Sequence, residues 1–235
     1  MRSGCVHRTT FSTAVSLLLL VAPLGDADAA SPDIAGTWSQ VIPWPLIAVH
    51  AVLMPDGRVL TYGTKSDGTQ TASFIYDVWD PAAGPDGGHL TLPNTTGTDI
   101  FCSSQVALPA GNQVFIAGGD NWTGSSTTNT ANNNSNLFDY TSDTLARQQD
   151  MKRPRWYSSS INLLNGDTYI QGGKSGEDRP EVRDQNGNFR LLTGANTGSL
   201  FYYFPRNFVA PDGRVFGYDA NGNMYFVNPS GTGTL

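Results

Sequence analysis

A chain of 235 residues is long enough for one ordinary domain or two small ones. Charged residues make up only 14%, glycine accounts for 26 positions and aromatics for 11%; this excludes a disordered tail and a heptad coiled coil. A net charge of −6 with no basic run argues against a nucleic-acid partner.

The first element is N-terminal. Arg2 and Arg8 precede the apolar run around Ser16 to Ala22, and Ala27-Asp28-Ala29 supplies a small-x-small cleavage pattern. Residues 1–30 read as a secretory signal peptide, cut after Ala29 or Ala30. The apolar core, Ala14 to Leu24 at its longest, is too short to span a bilayer. Residues 31–235 are thus expected outside the cell or in a periplasm, with no membrane contact after cleavage. Cys5 leaves with the signal and Cys102 remains alone, so no internal disulfide is available. On composition alone Cys102 is a buried apolar thiol.

The remaining chain repeats. Ala51 to Leu60, Ser104 to Ile116, Ser159 to Ile170 and Phe208 to Phe216 each read strand, glycine turn, strand. The turn glycines are Gly57, Gly111, Gly166 and Gly213, spaced by 54, 55 and 47 residues. A glycine stop closes each second strand, at Gly63, Gly118-Gly119, Gly172-Gly173 and Gly217. A further strand follows, as at Phe74 to Pro81 and Ser135 to Tyr140, while 121–135 and Ala82 to Gly88 read as loops. A period near 50 residues with this pattern is that of kelch blades, four strands each, in an all-β propeller. Evenly spaced hairpins also suit a sandwich, but the fixed offset from turn to glycine stop favours the propeller. Four repeats leave a ring open, so residues 31–235 are expected to be a partial propeller whose C-terminal blades are missing.

Nine residues before the turn glycine stand Ala48, Cys102, Tyr157 and Phe204. Equivalent positions on successive blades lie side by side, and the innermost strands line the channel. Cys102 and Tyr157 are therefore expected to be neighbours at the channel mouth. Taken by itself, this placement also suits two packed core residues.

The chain here resembles the copper-radical oxidases, galactose oxidase and more closely glyoxal oxidase. The resemblance rests on Phe101-Cys102-Ser103-Ser104, on Arg153-Pro154-Arg155-Trp156-Tyr157-Ser158, on Pro205 to Gly213, and on Leu46 to Leu53. It implies a propeller of seven blades in the full family. It also implies a thioether between the Cys102 sulfur and the Tyr157 ring, with copper on the Tyr157 oxygen and an unpaired electron on the modified ring. The substrates implied are small aldehydes or primary alcohols with O₂, giving hydrogen peroxide. Trp156 and Arg155 are candidates to surround the pair. Trp156 or Trp122 would shield the ring, although Trp156 also suits packing; Arg155 would orient an anionic substrate or pair with a neighbouring blade.

The sequence departs from the family elsewhere. The axial Tyr and both His ligands have no counterpart, since after the signal only His50 and His89 remain and neither follows a Tyr. His50 starts a strand and reads as structural; His89 follows Asp86-Gly87-Gly88 and is expected in a solvated loop. The family's Trp after the glycine pair is replaced by Lys174-Ser175-Gly176. The competing reading is a non-catalytic kelch module that binds carbohydrate or protein. The sequons at Asn94, Asn121 and Asn133 matter only in a host that glycosylates.

Overall fold

Three of the four strand–turn–strand units close through the same local bonds. In the first, Met54 N–H donates to Arg58 O at 2.9 Å and Gly57 N–H to Met54 O at 2.9 Å. The third and fourth units repeat this pair at Leu163 and Ala210. The turn glycines sit at φ 84–88°, a left-handed conformation that glycine adopts without steric cost. The computed structural model describes residues 38–65, 67–70, 74–123 and 126–235, with 31, 34 and 36 as isolated positions. The expected signal peptide, with Cys5, lies outside the described residues. The chain divides into residues 1–41 and 42–235, and every sheet belongs to the second part.

The sheets follow chain order. The first blade contains β1 (Ile47–Leu53), β2 (Val59–Thr64), β3 (Ile75–Trp79) and β4 (His89–Pro93), antiparallel in that order. The second contains β5 (Ser104–Ala107), β6 (Gln113–Ala117), β9 (Ser135–Asp139) and β10 (Thr144–Arg147). Between β6 and β9 a two-stranded hairpin, β7 (Trp122–Thr123) with β8 (Ser126–Thr127), stands where the sequence reads only as loop. The third blade is β11 (Trp156–Asn162), β12 (Thr168–Lys174), β13 (Glu181–Arg183) and β14 (Phe189–Leu191). The fourth has three strands rather than the expected four: β15 (Arg206–Val209), β16 (Val215–Tyr218) and β17 (Met224–Val227). The loop after β3 opens with a short 3₁₀ turn, Pro81–Ala83, capped by the Asp80 carboxylate.

The blades stack face to face, with β5 beside β1 and β11 between β5 and β15. Met54, Leu60 and Tyr62 of the first blade pack on Ile100, Val114 and Phe138 of the second. Phe115 and Leu137 meet Ile170 and Phe189, and Tyr169 and Val182 meet Val215 and Val227. Period-two alternation sends every second residue of a strand into such an interface. The sheets are not closed into a ring, as expected from four repeats. The two end blades show what that leaves uncovered. Ile47, Val49 and Leu53 point outward from β1, and Phe208, Tyr218, Met224 and Phe226 from the fourth blade. Phe208, Phe216 and Phe226 are aligned across three strands, so the outer face of the last blade resembles an interior face in composition.

Contiguous exposed apolar patches of this kind drive association. The 235-residue chain should elute above monomer size in size-exclusion chromatography. Phe208→Ser combined with Phe226→Ser should shift it toward the monomer at little stability cost, since both side chains are already half exposed. An unchanged elution volume would count against the end faces as the cause.

Candidate functional site

The inner ends of the blades share an unusual backbone. Cys102, Tyr157 and Phe204 have φ of 58°, 69° and 45°, where an L residue costs about 1–2 kcal/mol. Tyr157 N–H donates to Cys102 O at 2.8 Å, and Phe204 N–H donates to Tyr157 O at 2.8 Å. These bonds run from blade to blade and link the three equivalent positions. The glycine pairs hold the segments just before them. Gly119 N–H donates to Arg155 O at 2.9 Å, and Gly173 N–H to Tyr202 O at 2.8 Å. A side chain at Gly119 would put its Cβ 2.0 Å from Asp99 O, so glycine there is a requirement of close approach. Because Phe204 shares the conformation, the strain belongs to the blade architecture, and the architecture delivers the thiol and phenol to one place.

The structure brings Cys102 and Tyr157 together. The phenol hydroxyl and the thiol sulfur lie near enough to act on each other's ionisation. Cys102 is buried, and desolvation pushes its thiol up to about 11; the Tyr157 hydroxyl pulls the other way, and Asp120 and Asp99 add to the rise. Tyr157 is raised well above the ordinary phenol range, first by desolvation and then by Cys102. Both groups are therefore neutral at physiological pH, and ionising either needs a compensating charge.

Aromatic rings surround Tyr157. Trp156 lies 4.3 Å away between centroids at 43°, while Tyr203 and Phe204 meet it edge-on at 5.0 and 5.1 Å. The buried Trp156 indole N–H has no hydrogen-bond partner. Lys174 Nζ stands 5.6 Å over the Trp156 ring. Tyr203 escaped the sequence reading; its only signal was the aromatic run Phe201 to Phe204. Trp122, the other candidate shield, is held elsewhere. Its indole N–H donates to Asp99 and its ring packs on Phe74 at 4.9 Å.

Arg155 is fully buried in its own blade. Nε donates to Glu181 Oε1 at 2.9 Å, Nη1 to the carbonyls of Gly172 and Gly176 at 2.7 and 2.9 Å, and Nη2 to Arg179 O at 2.6 Å. A second contact from Nη2 to Glu181 completes the set. No guanidinium donor is left for an anionic substrate, which corrects that expectation; the partner is a carboxylate of the same blade. His89 also departs from expectation. It opens β4, accepts or donates at Nδ1 with the buried Asp77 at 2.7 Å, and packs between Trp44 and Trp79. His50 is buried, and burial lowers it to about 4. Its Nε2 accepts the Cys102 N–H at 2.9 Å.

Among the described residues no group of three or more His, Cys, Asp or Glu is placed to hold a metal. Tetragonal Cu(II) prefers several nitrogen and oxygen donors, and the site offers the Tyr157 oxygen with no free imidazole beside it. These residues alone do not fit a complete copper site. An open groove lined by His50, Ser104, Ser158, Ser160 and Phe204 runs along the inner strands next to the pair. A second cleft, lined by Leu108, Gly111, Gly166 and Arg183, lies at the turn end of the blades, away from it.

The architecture and site define an open kelch-type β-propeller with a Cys–Tyr pair at its channel. No protein-family model matches the chain. Two curated galactose oxidases of Gibberella zeae are 27% identical over 143 residues, 59% of this chain and 19% of theirs. The chain thus spans about a fifth of the length of these relatives. Among solved structures it is similar to a fungal alcohol oxidase described as having catalytic diversity among the AA5 family, in complex with copper. The TM-score is 0.62 at 18% identity, covering 81% of this chain and 41% of that one. The sequence likeness is thus to galactose oxidases over part of their length, and the structural likeness shows the propeller-type fold. Among the described residues no helix is long and apolar enough to cross a membrane.

Two outcomes follow from the buried polar groups. His50 binds a proton near pH 6.5 when unfolded and near 4 when folded. Stability should be fully present above pH 6.5 and fall as pH drops toward 4, by about 3 kcal/mol at roughly 1.4 kcal/mol per pKa unit. Urea unfolding across that range should show the decline in the wild type and a shallower one in His50→Gln. Arg155→Met strands the Glu181 carboxylate and should cost about 3–5 kcal/mol; a loss under 1 kcal/mol would refute the clamp.

Proposed function

We propose that this chain is the N-terminal propeller portion of a secreted copper-radical oxidase acting on small aldehydes or primary alcohols with O₂. Cys102 and Tyr157 are its cofactor pair, joined by a thioether, and the Tyr157 oxygen is one copper ligand. The observation that carries the reading is the placement of a thiol against a phenol at equivalent left-handed positions of adjacent blades, bonded peptide to peptide. A binding module has no need for that pairing. Copper would supply one electron acceptor and the modified ring a second, which suits a two-electron oxidation.

The chain's own contribution is specific. Formation of the thioether removes the hydrogen of the thiol and one ring hydrogen ortho to the Tyr157 oxygen. Dioxygen takes both, with their two electrons, as hydrogen peroxide. A sulfur substituent then donates density into the ring and makes its oxidation easier. Trp156, Tyr203 and Phe204 cover part of the half-buried Tyr157 ring. The remaining copper ligands would come from blades beyond the four described.

Mass spectrometry of the parent protein, after exposure to copper and air, should find the Cys102 and Tyr157 peptides joined with the loss of two hydrogens. Cys102→Ala and Tyr157→Phe should abolish both the joined peptide and peroxide production. Residues 30–235 expressed alone should bind copper weakly and give no peroxide with glyoxal, methylglyoxal or galactose. A parent protein that never forms the joined peptide would instead favour the non-catalytic kelch module, and robust turnover by the fragment would mean that ligands have been overlooked.

A further inference from the structure

Cys102 has an acceptor that breaks the pattern of the blades. In the later steps, the N–H at the left-handed position donates to the carbonyl of the equivalent residue one blade back: Tyr157 to Cys102, and Phe204 to Tyr157. Continued backward, Cys102 N–H would donate to Ala48 O. It donates instead to His50 Nε2, 2.9 Å away and 52 residues earlier in sequence. The cause is local. The β1–β2 register slips between Ile47 and His50, and the imidazole occupies the place that a carbonyl fills in the other steps.

His50 is built for that role. Its ring stacks on Tyr62 at 4.7 Å and 17°, and Phe101 meets it edge-on at 6.0 Å. Tyr62 is itself fixed, with its hydroxyl 2.8 Å from Ser103 Oγ and donating to Gln105 Oε1 at 3.1 Å. The residues on either side of Cys102 thus help to place Nε2 at its amide: Phe101 meets the imidazole, and Ser103 holds the Tyr62 ring on which it stacks. An accepting Nε2 must carry a lone pair, so the neutral ring holds its proton on Nδ1, and burial keeps the ring neutral. On the other side of Cys102, Asp99 Oδ1 accepts Phe101 N–H at 2.9 Å. Cys102 is therefore held at its amide by an imidazole and at its carbonyl by Tyr157 N–H.

We propose that His50 is a positioning residue for Cys102: by accepting its amide N–H in place of a backbone carbonyl, it fixes the left-handed backbone that turns the thiol toward Tyr157. The consequence for thioether formation rests on the cofactor reading above; the effect on Cys102 itself does not. The imidazole neither touches substrate nor joins the chemistry.

Two substitutions in the full chain separate the acceptor from the ring. His50→Phe keeps the stack on Tyr62 and removes the acceptor. His50→Gln removes the ring and offers an amide oxygen at a similar reach. Alkylation of Cys102 in the copper-free protein should quicken in His50→Phe by roughly tenfold, the equivalent of one lost buried hydrogen bond, and return near the wild-type rate in His50→Gln. Thioether yield under copper and air should fall in the Phe variant and recover in the Gln variant. A role limited to packing would give the reverse order, and equal behaviour of the two variants would likewise overturn the proposal. Wild-type protein that forms no thioether defeats the cofactor reading, while the alkylation rates still judge His50. Should neither variant fold, hydrogen exchange on the wild type decides: a protected Cys102 amide supports the proposal, and exchange at the rate of an exposed amide ends it.

Discussion

The hydrogen bond from Tyr157 N–H to Cys102 O is the constraint on which the site depends. It joins two blades through their inner strands, and it forms only because both residues accept a left-handed backbone. Strand pairing alone would point neighbouring side chains along the channel without bringing them into contact. The bond adds a fixed peptide-to-peptide spacing. With it, the first atoms of a thiol side chain and a phenol side chain start from adjacent, equally oriented positions. The same bond recurs at Phe204, where no such chemistry is present, so the protein places a reactive pair on a step that the fold already provides.

That step is sustained from behind by buried polar groups. The loop entering β11 turns on Arg155, whose carbonyl receives Gly119 N–H and whose guanidinium reaches Glu181 and three carbonyls. A buried ion pair contributes modestly to stability, yet breaking it is costly. It is therefore well suited to holding one geometry against alternatives. The glycine pairs supply the complementary condition: the chain passes so close to Gly118 and Gly119 that no Cβ fits. Ion pair and glycines act on the residues just before Tyr157, and so fix where the ring begins.

Burial then sets the chemistry. Desolvation raises both the thiol and the phenol, so neither carries charge without a partner such as a metal cation. The neighbouring rings of Trp156, Tyr203 and Phe204 cover the phenol on several sides. The apolar outer faces of the first and fourth blades are the price of an unclosed ring. They lie on the two blades that flank those carrying the pair.

The sequence alone determined the blade rhythm, because turn glycines and alternating apolar residues act through local backbone and burial. Strand positions near Val52, Val59, Gln105, Val114, Ser160, Tyr169, Phe208 and Val215 followed from that rhythm, and so did the shared offset of Cys102 and Tyr157. What it did not contain was direction. His89 looked like a solvated loop residue because nothing local reveals that Asp77, Trp44 and Trp79 converge on it. Arg155 looked free to meet an anion because its partner, Glu181, lies 26 residues away. His50 read as structural, but its particular task depends on a register slip in β1 that has no sequence marker. Periodicity is written residue by residue, whereas the destination of a buried donor is settled only when distant segments pack and every polar group must find an acceptor.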